Sequence, residues 1–281
     1  MTLPEPDRRG MLQRHERFAS QYIQPRPIDV WLPPAYDQQR DERYPVLYLH
    51  DGQNLFDPAL ANTGSAWGID EALERLIHQR VIKGTIAVGI WHTAQRVGEY
   101  MPQEPLAIPS IRTAHDRYLR EWHAEEPGQP QSDAYLHFIV AELKPFIDAT
   151  YRTQSDRAHT AIMGSSMGGL ISLYALCKYP AIFGGAGCLS THWPIGEEAL
   201  VEYFGRMLPH AGQHRLYFDY GTETIDALYE PYQLQMDELM RQAGYQRDRD
   251  WITRKFPGAA HNEAAWRDRV DIPLRFLLGT P

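Results

Sequence analysis

No stretch of this chain is apolar for long enough to span a bilayer, and the N-terminal MTLPEPDRRGMLQRHERF carries no apolar core of the kind a secretory signal needs. A membrane partner is therefore not expected, and the sequence reads as that of a cytoplasmic protein. Positive charge is in the minority, with 28 lysines and arginines against 36 aspartates and glutamates and a formal charge of −8. With no basic block or face to meet phosphates, nucleic acid is not expected as a partner either. Cysteine is scarce: Cys177 and Cys188 lack the C-x-x-C spacing of zinc or redox sites and read as two small buried apolar residues. G-x-G-x-x-G is absent, and no Lys-Ser/Thr pair completes a Walker loop.

What remains is a chain of 281 residues, long enough to bury about 75% of its unfolded surface in one large domain. Short apolar runs rich in β-branched and aromatic residues recur at YPVLYLH (44–50), TIAVGIW (85–91), HTAIMG (from 159), GAGCLS (from 185) and RLYFDYG (from 215). Such runs suit strands buried on both faces. DWITRKF (250–256) alternates as an edge strand does, and RHERFAS with RPIDVWLPP reads as an antiparallel pair ahead of the sheet. Amphipathic stretches from Ile69, Ser132, Gly169 and Pro231 alternate with the strands, and Ser132 is placed as a helix N-cap. The pattern is that of an α/β protein with a mostly parallel sheet. Residues 92–131 break the rhythm with proline, histidine and charge, and are expected to form a long functional loop or lid.

Chemistry enters at HTAIMGSSMGGLISLYAL (159–176), where strand, tight glycine-rich turn and helix follow one another as the G-x-S-x-G motif requires. Register selects Ser166, since Ser165 would need glycine where Met163 stands. Bulky Cβ atoms at Gly164 and Gly168 would be expected to collide with neighbouring backbone on so sharp a turn. The helix that follows aims its first amides at the site, so the Met167 N–H can serve a developing oxyanion.

A serine nucleophile needs a histidine base oriented by an acid, in the chain order serine, acid, histidine on this kind of sheet. Of the downstream histidines, His261 in FPGAAHNEAAW follows the last strand and precedes the C-terminal helix, where it can reach over the sheet edge. Asp219 lies within a strand and reads as structural. Asp226, just before the next helix, is the preferred acid, with Glu223 as its competitor. The second oxyanion donor is expected from YLHDGQNLFD as the Gln53 N–H, exposed by a turn at Gly52, with Asp51 and Asn54 on either side as substrate-pocket residues. His192 and Trp193 read as pocket lining, with Trp91 as further aromatic surface, and His92, Arg96 and Glu99 as a polar rim or a solvated loop face.

These residues carry a resemblance. HDGQNLFD with GSSMGG, supported by VGIWHT, ELKPFIDATY and HNEAAW, is similar to the putative esterase family of α/β-hydrolases, related to enterochelin, feruloyl and acetyl-xylan esterases and to S-formylglutathione hydrolase. The resemblance covers about residues 26–275. It implies one α/β-hydrolase domain over residues 1–281, with helices on both faces of the sheet. It also implies Ser166 as nucleophile, His261 as base, Gln53 and Met167 as oxyanion hole, and a small-molecule ester substrate with no metal or organic cofactor. Many relatives place the acid three residues beyond the strand-ending glycine, where this chain has Thr224. The expected activity is a serine carboxylic-ester hydrolase, against an acyltransferase using the same site or a binding protein that keeps the fold.

Overall fold

A computed structural model describes residues 9–122 and 128–279. Eight strands form one sheet: β1 (Met11–Phe18), β2 (Arg26–Leu32), β3 (Val46–His50), β4 (Ile86–Ile90), β5 (Thr160–Ser165), β6 (Gly185–Leu189), β7 (Arg215–Gly221) and β8 (Trp251–Phe256). Their spatial order is β1-β2-β4-β3-β5-β6-β7-β8. β1 pairs antiparallel with β2, and β2 antiparallel with β4; every later pairing is parallel. This is the mostly parallel sheet with an antiparallel N-terminal pair that the apolar runs predict, and β8 is the edge strand its alternation suggested.

Strand periodicity explains the two cores. Successive side chains point to opposite faces, so Val46 and Tyr48 of β3 join one apolar cluster while Leu47 and Leu49 join the other. The helices are α1 (Ile69–His78), α2 (Arg96–Tyr100), α3 (Pro109–Trp122), α4 (Ser132–Phe138), α5 (Lys144–Thr150), α6 (Met167–Lys178), α7 (Glu197–Met207), α8 (Glu230–Gln242), α9 (Glu263–Arg267) and α10 (Asp271–Leu278). Leu170, Ile171 and Leu173 of α6 cover the first face; Ile69, Leu73 and Leu76 of α1, with Leu274 of α10, cover the second. α/β-Hydrolase architecture follows, with helices on both faces.

Three local expectations change. Ser132 does not cap its helix; it is the first helical residue, and its Oγ accepts the Gln103 N–H at 2.9 Å. The long amphipathic run from Ser132 is interrupted by a π-helical stretch over Ile139–Leu143 between α4 and α5. The third concerns residues 92–131, read as a loop or lid. Among the described residues of that segment stand α2, a 3₁₀ turn at Glu104–Ala107, and α3. Their Tyr100, Met101, Leu106 and Ile111 are buried in the first core. Residues 123–127 of the segment lie outside the described residues.

The helical period there is masked by polar residues that turn out to be buried in pairs. Glu99 is not part of a rim: it forms a fully buried ion pair with Arg26 of β2, at 2.7 and 2.5 Å. Ion pairs so placed lose hydration, and only good hydrogen-bond geometry offsets that cost. The bidentate fork of Arg26 provides that geometry. No helix among the described residues is long and apolar enough to cross a membrane.

Candidate active site

The parallel strands β3, β5, β6 and β7 all end on the same side of the sheet, the side on which open α/β sheets place their ligands. Ser166 follows the last residue of β5 and is partly exposed. Its backbone takes φ 57° and ψ −124°, a region that a side-chain-bearing residue enters only under strain and that its surroundings must hold. Those surroundings are specific: the Ser166 N–H donates to Leu189 O at 2.9 Å, and its carbonyl accepts from His192 N at 3.2 Å and Leu170 N at 3.1 Å.

α6 begins at Met167, two residues earlier than the pattern suggests. Met167 therefore supplies the first N–H of the helix, which has no carbonyl a turn before it within the helix.

Of the two flanking glycines, only one is sterically forced. A Cβ on Gly164 would sit 2.7 Å from Gly168 C and 2.8 Å from Gly168 O; one on Gly168 would meet only side-chain atoms of Asp51 and His50 at 3.4 Å. Gly164→Ala is therefore expected to destabilise by ~1–3 kcal/mol and to cut turnover, whereas Gly168→Ala should melt close to the wild type. Parallel thermal melts of the two variants check this, and equal losses would contradict it.

His261 Nδ1 lies 2.5 Å from Asp226 Oδ1. Thr224, three residues beyond the strand-ending Gly221, is used to bring them together. It takes φ 54°, and its Oγ1 accepts the His261 N–H at 2.9 Å. The same loop is zipped by Thr222 N and Glu223 N, each donating to Ala259 O at 3.0 Å. Glu223 itself is exposed. α9 is capped by the Asn262 side chain, which accepts the Ala265 N–H.

Asp226 is 1% exposed. Its Oδ2 accepts from Ser190 Oγ and from Gly221 N, both at 2.7 Å. Burial pushes this carboxyl up, but the His261 imidazole, Ser190 and the Gly221 amide together hold it below the usual carboxylate range. Asp219 is buried within β7 and paired with Arg269 at 2.9 Å, a structural placement.

On the β3 side, Asp51 takes the left-handed conformation (φ 57°, ψ 48°) that opens the 3₁₀ turn Gly52–Asn54. Gly52 was expected to make this turn. It serves instead for close approach, since a Cβ there would stand 2.7 Å from the Trp91 ring and 2.8 Å from Gly89 C. Both Asp51 carboxylate oxygens are held by Arg96 at 2.7 Å, so α2 grips the turn that carries Gln53. The Gln53 side chain accepts from His92 N at 3.2 Å, and Asn54 reaches Glu263 of α9 at 3.4 Å.

One aromatic expectation is corrected. Trp193 is not pocket lining: it is 1% exposed, packs against Phe204 and Phe218, and donates its indole N–H to Gln233 at 3.2 Å. Trp91 is tied to Asp29 at 2.8 Å beneath the Arg14 guanidinium. His192, by contrast, lies within 6.5 Å of the His261 ring. Cys177 and Cys188 are buried and free, as expected.

His50, at the end of β3, gives a pH-dependent signature. Its Nδ1 pairs with Tyr135 Oη at 2.7 Å, while its Nε2 is buried with no partner among the described residues. Burial lowers its pKa to about 3; the Asp51 carboxylate opposes this without prevailing. The unfolded chain takes up this proton near 6.5 and the folded one only near 3, so the stabilisation is complete above 6.5 and erodes as pH falls toward 3. From pH 7 to 5 the loss is about 2 kcal/mol. Denaturant unfolding of the wild type should show this extra fall relative to His50→Gln; parallel pH profiles would contradict it.

Sequence reasoning did not find Ser190, Trp266, Arg269 or Tyr229. Ser190 Oγ accepts from Trp266 Nε1 and Arg269 Nη2, both at 3.0 Å. Both neighbours only donate, so the hydroxyl proton of Ser190 must go to Asp226. The one signal was position, a polar residue directly after a buried strand. Among the described residues, no group of three His, Cys, Asp or Glu side chains is placed to hold a metal.

Fold and site together define a protein of the α/β-hydrolase esterase class. The chain belongs to the family described as "Putative esterase", whose model matches residues 20–271. Over 198 residues it is 27% identical to the uncharacterized protein YbbA of Bacillus subtilis, covering 70% of this chain and 68% of that one. It is 28% identical over 198 residues to the ferri-bacillibactin esterase BesA of the same organism, covering 68% of this chain and 61% of the relative. Among solved structures, an IroE-like serine hydrolase from Shewanella oneidensis superposes with a TM-score of 0.72 at 21% identity, covering 96% of this chain and 80% of that one.

Proposed function

We propose that the protein is a serine carboxylic-ester hydrolase, one domain over residues 1–281, acting through an acyl-enzyme on Ser166. The observation that carries this reading is the Asp226–His261 pair, at 2.5 Å with its carboxylate buried, on the same strand ends as a serine held in a strained turn.

In this reading Ser166 Oγ attacks the ester carbonyl while His261 takes its proton through Nε2, the nitrogen opposite the one Asp226 holds. The tetrahedral oxyanion is met by the Met167 and Gln53 N–H groups, donors fixed in advance by α6 and by the Arg96-gripped turn. The C–O bond to the alcohol then breaks, and His261 returns the proton to the departing oxygen. Water repeats the cycle, with His261 as base, and Ser166 Oγ leaves with the proton. The steps as written use side chains and backbone amides alone.

The relatives named above include an esterase for ferri-bacillibactin, and a further structural neighbour is a ferulic acid esterase from Anaeromyces mucronatus. These favour a small-molecule ester as substrate. A cytoplasmic location is in keeping with two unpaired, buried cysteines.

The test is turnover of acetyl, butyryl, feruloyl and trilactone esters, with and without added alcohols. Release of free acid that alcohols do not divert supports hydrolysis. Ester product in their presence would support acyl transfer, and no turnover of any ester would defeat the reading.

A further inference from the structure

Beside Ser166 stands a phenol that the reaction as written leaves unused. Tyr229 lies three residues beyond Asp226, is 1% exposed, and is fixed by its own N–H donating to Asp226 O at 3.0 Å. The Ser166 side chain is near enough to this phenol to favour its ionised form, against the larger opposing effect of burial. Tyr229 places its hydroxyl 2.6 Å from His192 Nδ1. Its ring meets that of His261 edge-on, with centroids 5.8 Å apart. His192 is tied to the same turn from the other direction, its N–H donating to Ser166 O at 3.2 Å. Serine, phenol and imidazole thus form a row on one rigid frame.

A phenol has one proton and two lone pairs, and burial here pushes its ionisation well above the usual tyrosine range, so it keeps that proton. Two arrangements satisfy the row. If Tyr229 donates to His192, its oxygen accepts the Ser166 proton and draws it away from His261. If His192 Nδ1–H donates to Tyr229, the phenol donates to Ser166 Oγ and the serine proton is left for His261.

We propose that the second arrangement operates and that Tyr229 is a further catalytic residue. It donates to Ser166 Oγ whenever that oxygen carries developing negative charge, while His192 orients the phenol. The inference rests on Ser166 being the nucleophile. Oγ gains charge as its proton passes to His261 and again when it leaves the acyl group, and a hydrogen bond to a charged acceptor is stronger than one to a neutral acceptor. Tyr229 transfers no proton; it gives a hydrogen bond and keeps its O–H.

The test is the rate at which a fluorophosphonate modifies Ser166, a step in which an Oγ–P bond forms, fluoride leaves and His261 takes the serine proton. Tyr229→Phe should react about 10- to 100-fold more slowly than the wild type, while keeping the wild-type fold by circular dichroism. His192→Leu should react about 10-fold more slowly than His192→Asn, because asparagine can still offer an N–H to the phenol. The His192 pair keeps the test open should Tyr229→Phe fold poorly. Tyr229→Phe reacting as fast as the wild type, or faster, would overturn the inference and leave Ser166 as nucleophile. A wild-type protein that resists labelling at Ser166 would overturn both.

Discussion

Ser166→Ala is expected to lower kcat on a p-nitrophenyl ester by on the order of 10⁴-fold or more, with little change in melting temperature. The size of the loss reflects what one oxygen does: it opens a covalent route that divides a difficult displacement into two easier ones. Alanine removes only that route. The Met167 and Gln53 amides remain on their elements, so a residual rate from oxyanion stabilisation should survive. The fold should survive as well, because the contacts that hold residue 166 in its strained conformation are made by its backbone N–H and C=O. A variant that unfolds, or one that turns over at the wild-type rate, would count against the assignment.

The second large effect separates two neighbouring carboxylates. Asp226→Asn should cost on the order of 10³- to 10⁴-fold in kcat, since an amide that donates to His261 Nδ1 would hold the imidazole in the wrong tautomer. Glu223→Gln should stay within about twofold of the wild type. Glu223 is exposed, and what the site uses is its backbone N–H, bonded to Ala259 O. Asp226 also leaves a trace in stability. Its folded pKa lies below the ordinary 3.8, so its contribution is complete above that value and is lost as pH falls through the lower folded one. Melts of the wild type and of Asp226→Asn should therefore converge in strong acid. A kcat loss in Glu223→Gln rather than in Asp226→Asn would reverse the assignment.

Much of this was legible because it is written in periodicity and in rare spacings. Strands buried on both faces leave continuous apolar runs, and Ser166 is marked by glycines two positions away on either side. The partners of the serine are a different matter. Asp226 and His261 are far apart in the chain and meet because Thr222 accepts the Gly258 N–H and Thr224 the His261 N–H, closing one loop upon another; none of these bonds has a period. The 92–131 segment was hard to read for a related reason. Glu99 and Arg96 look like surface charge in one dimension, and only the folded chain brings Arg26 and Asp51 to them. Trp193 and Tyr229 show the same limit, since an aromatic side chain can serve a core or a site and its partners decide which.

The central claim, that the Asp226–His261 pair activates Ser166, is tested most directly by trapping the covalent intermediate. The protein is mixed with a slowly deacylating p-nitrophenyl ester, quenched in acid and digested, and the peptides are weighed. One acyl group is expected, on the peptide that contains Ser166, and it should be missing from Ser166→Ala and strongly reduced in His261→Ala. Rapid ester turnover with no acyl group on that peptide, or with one on a different side chain, would contradict the account.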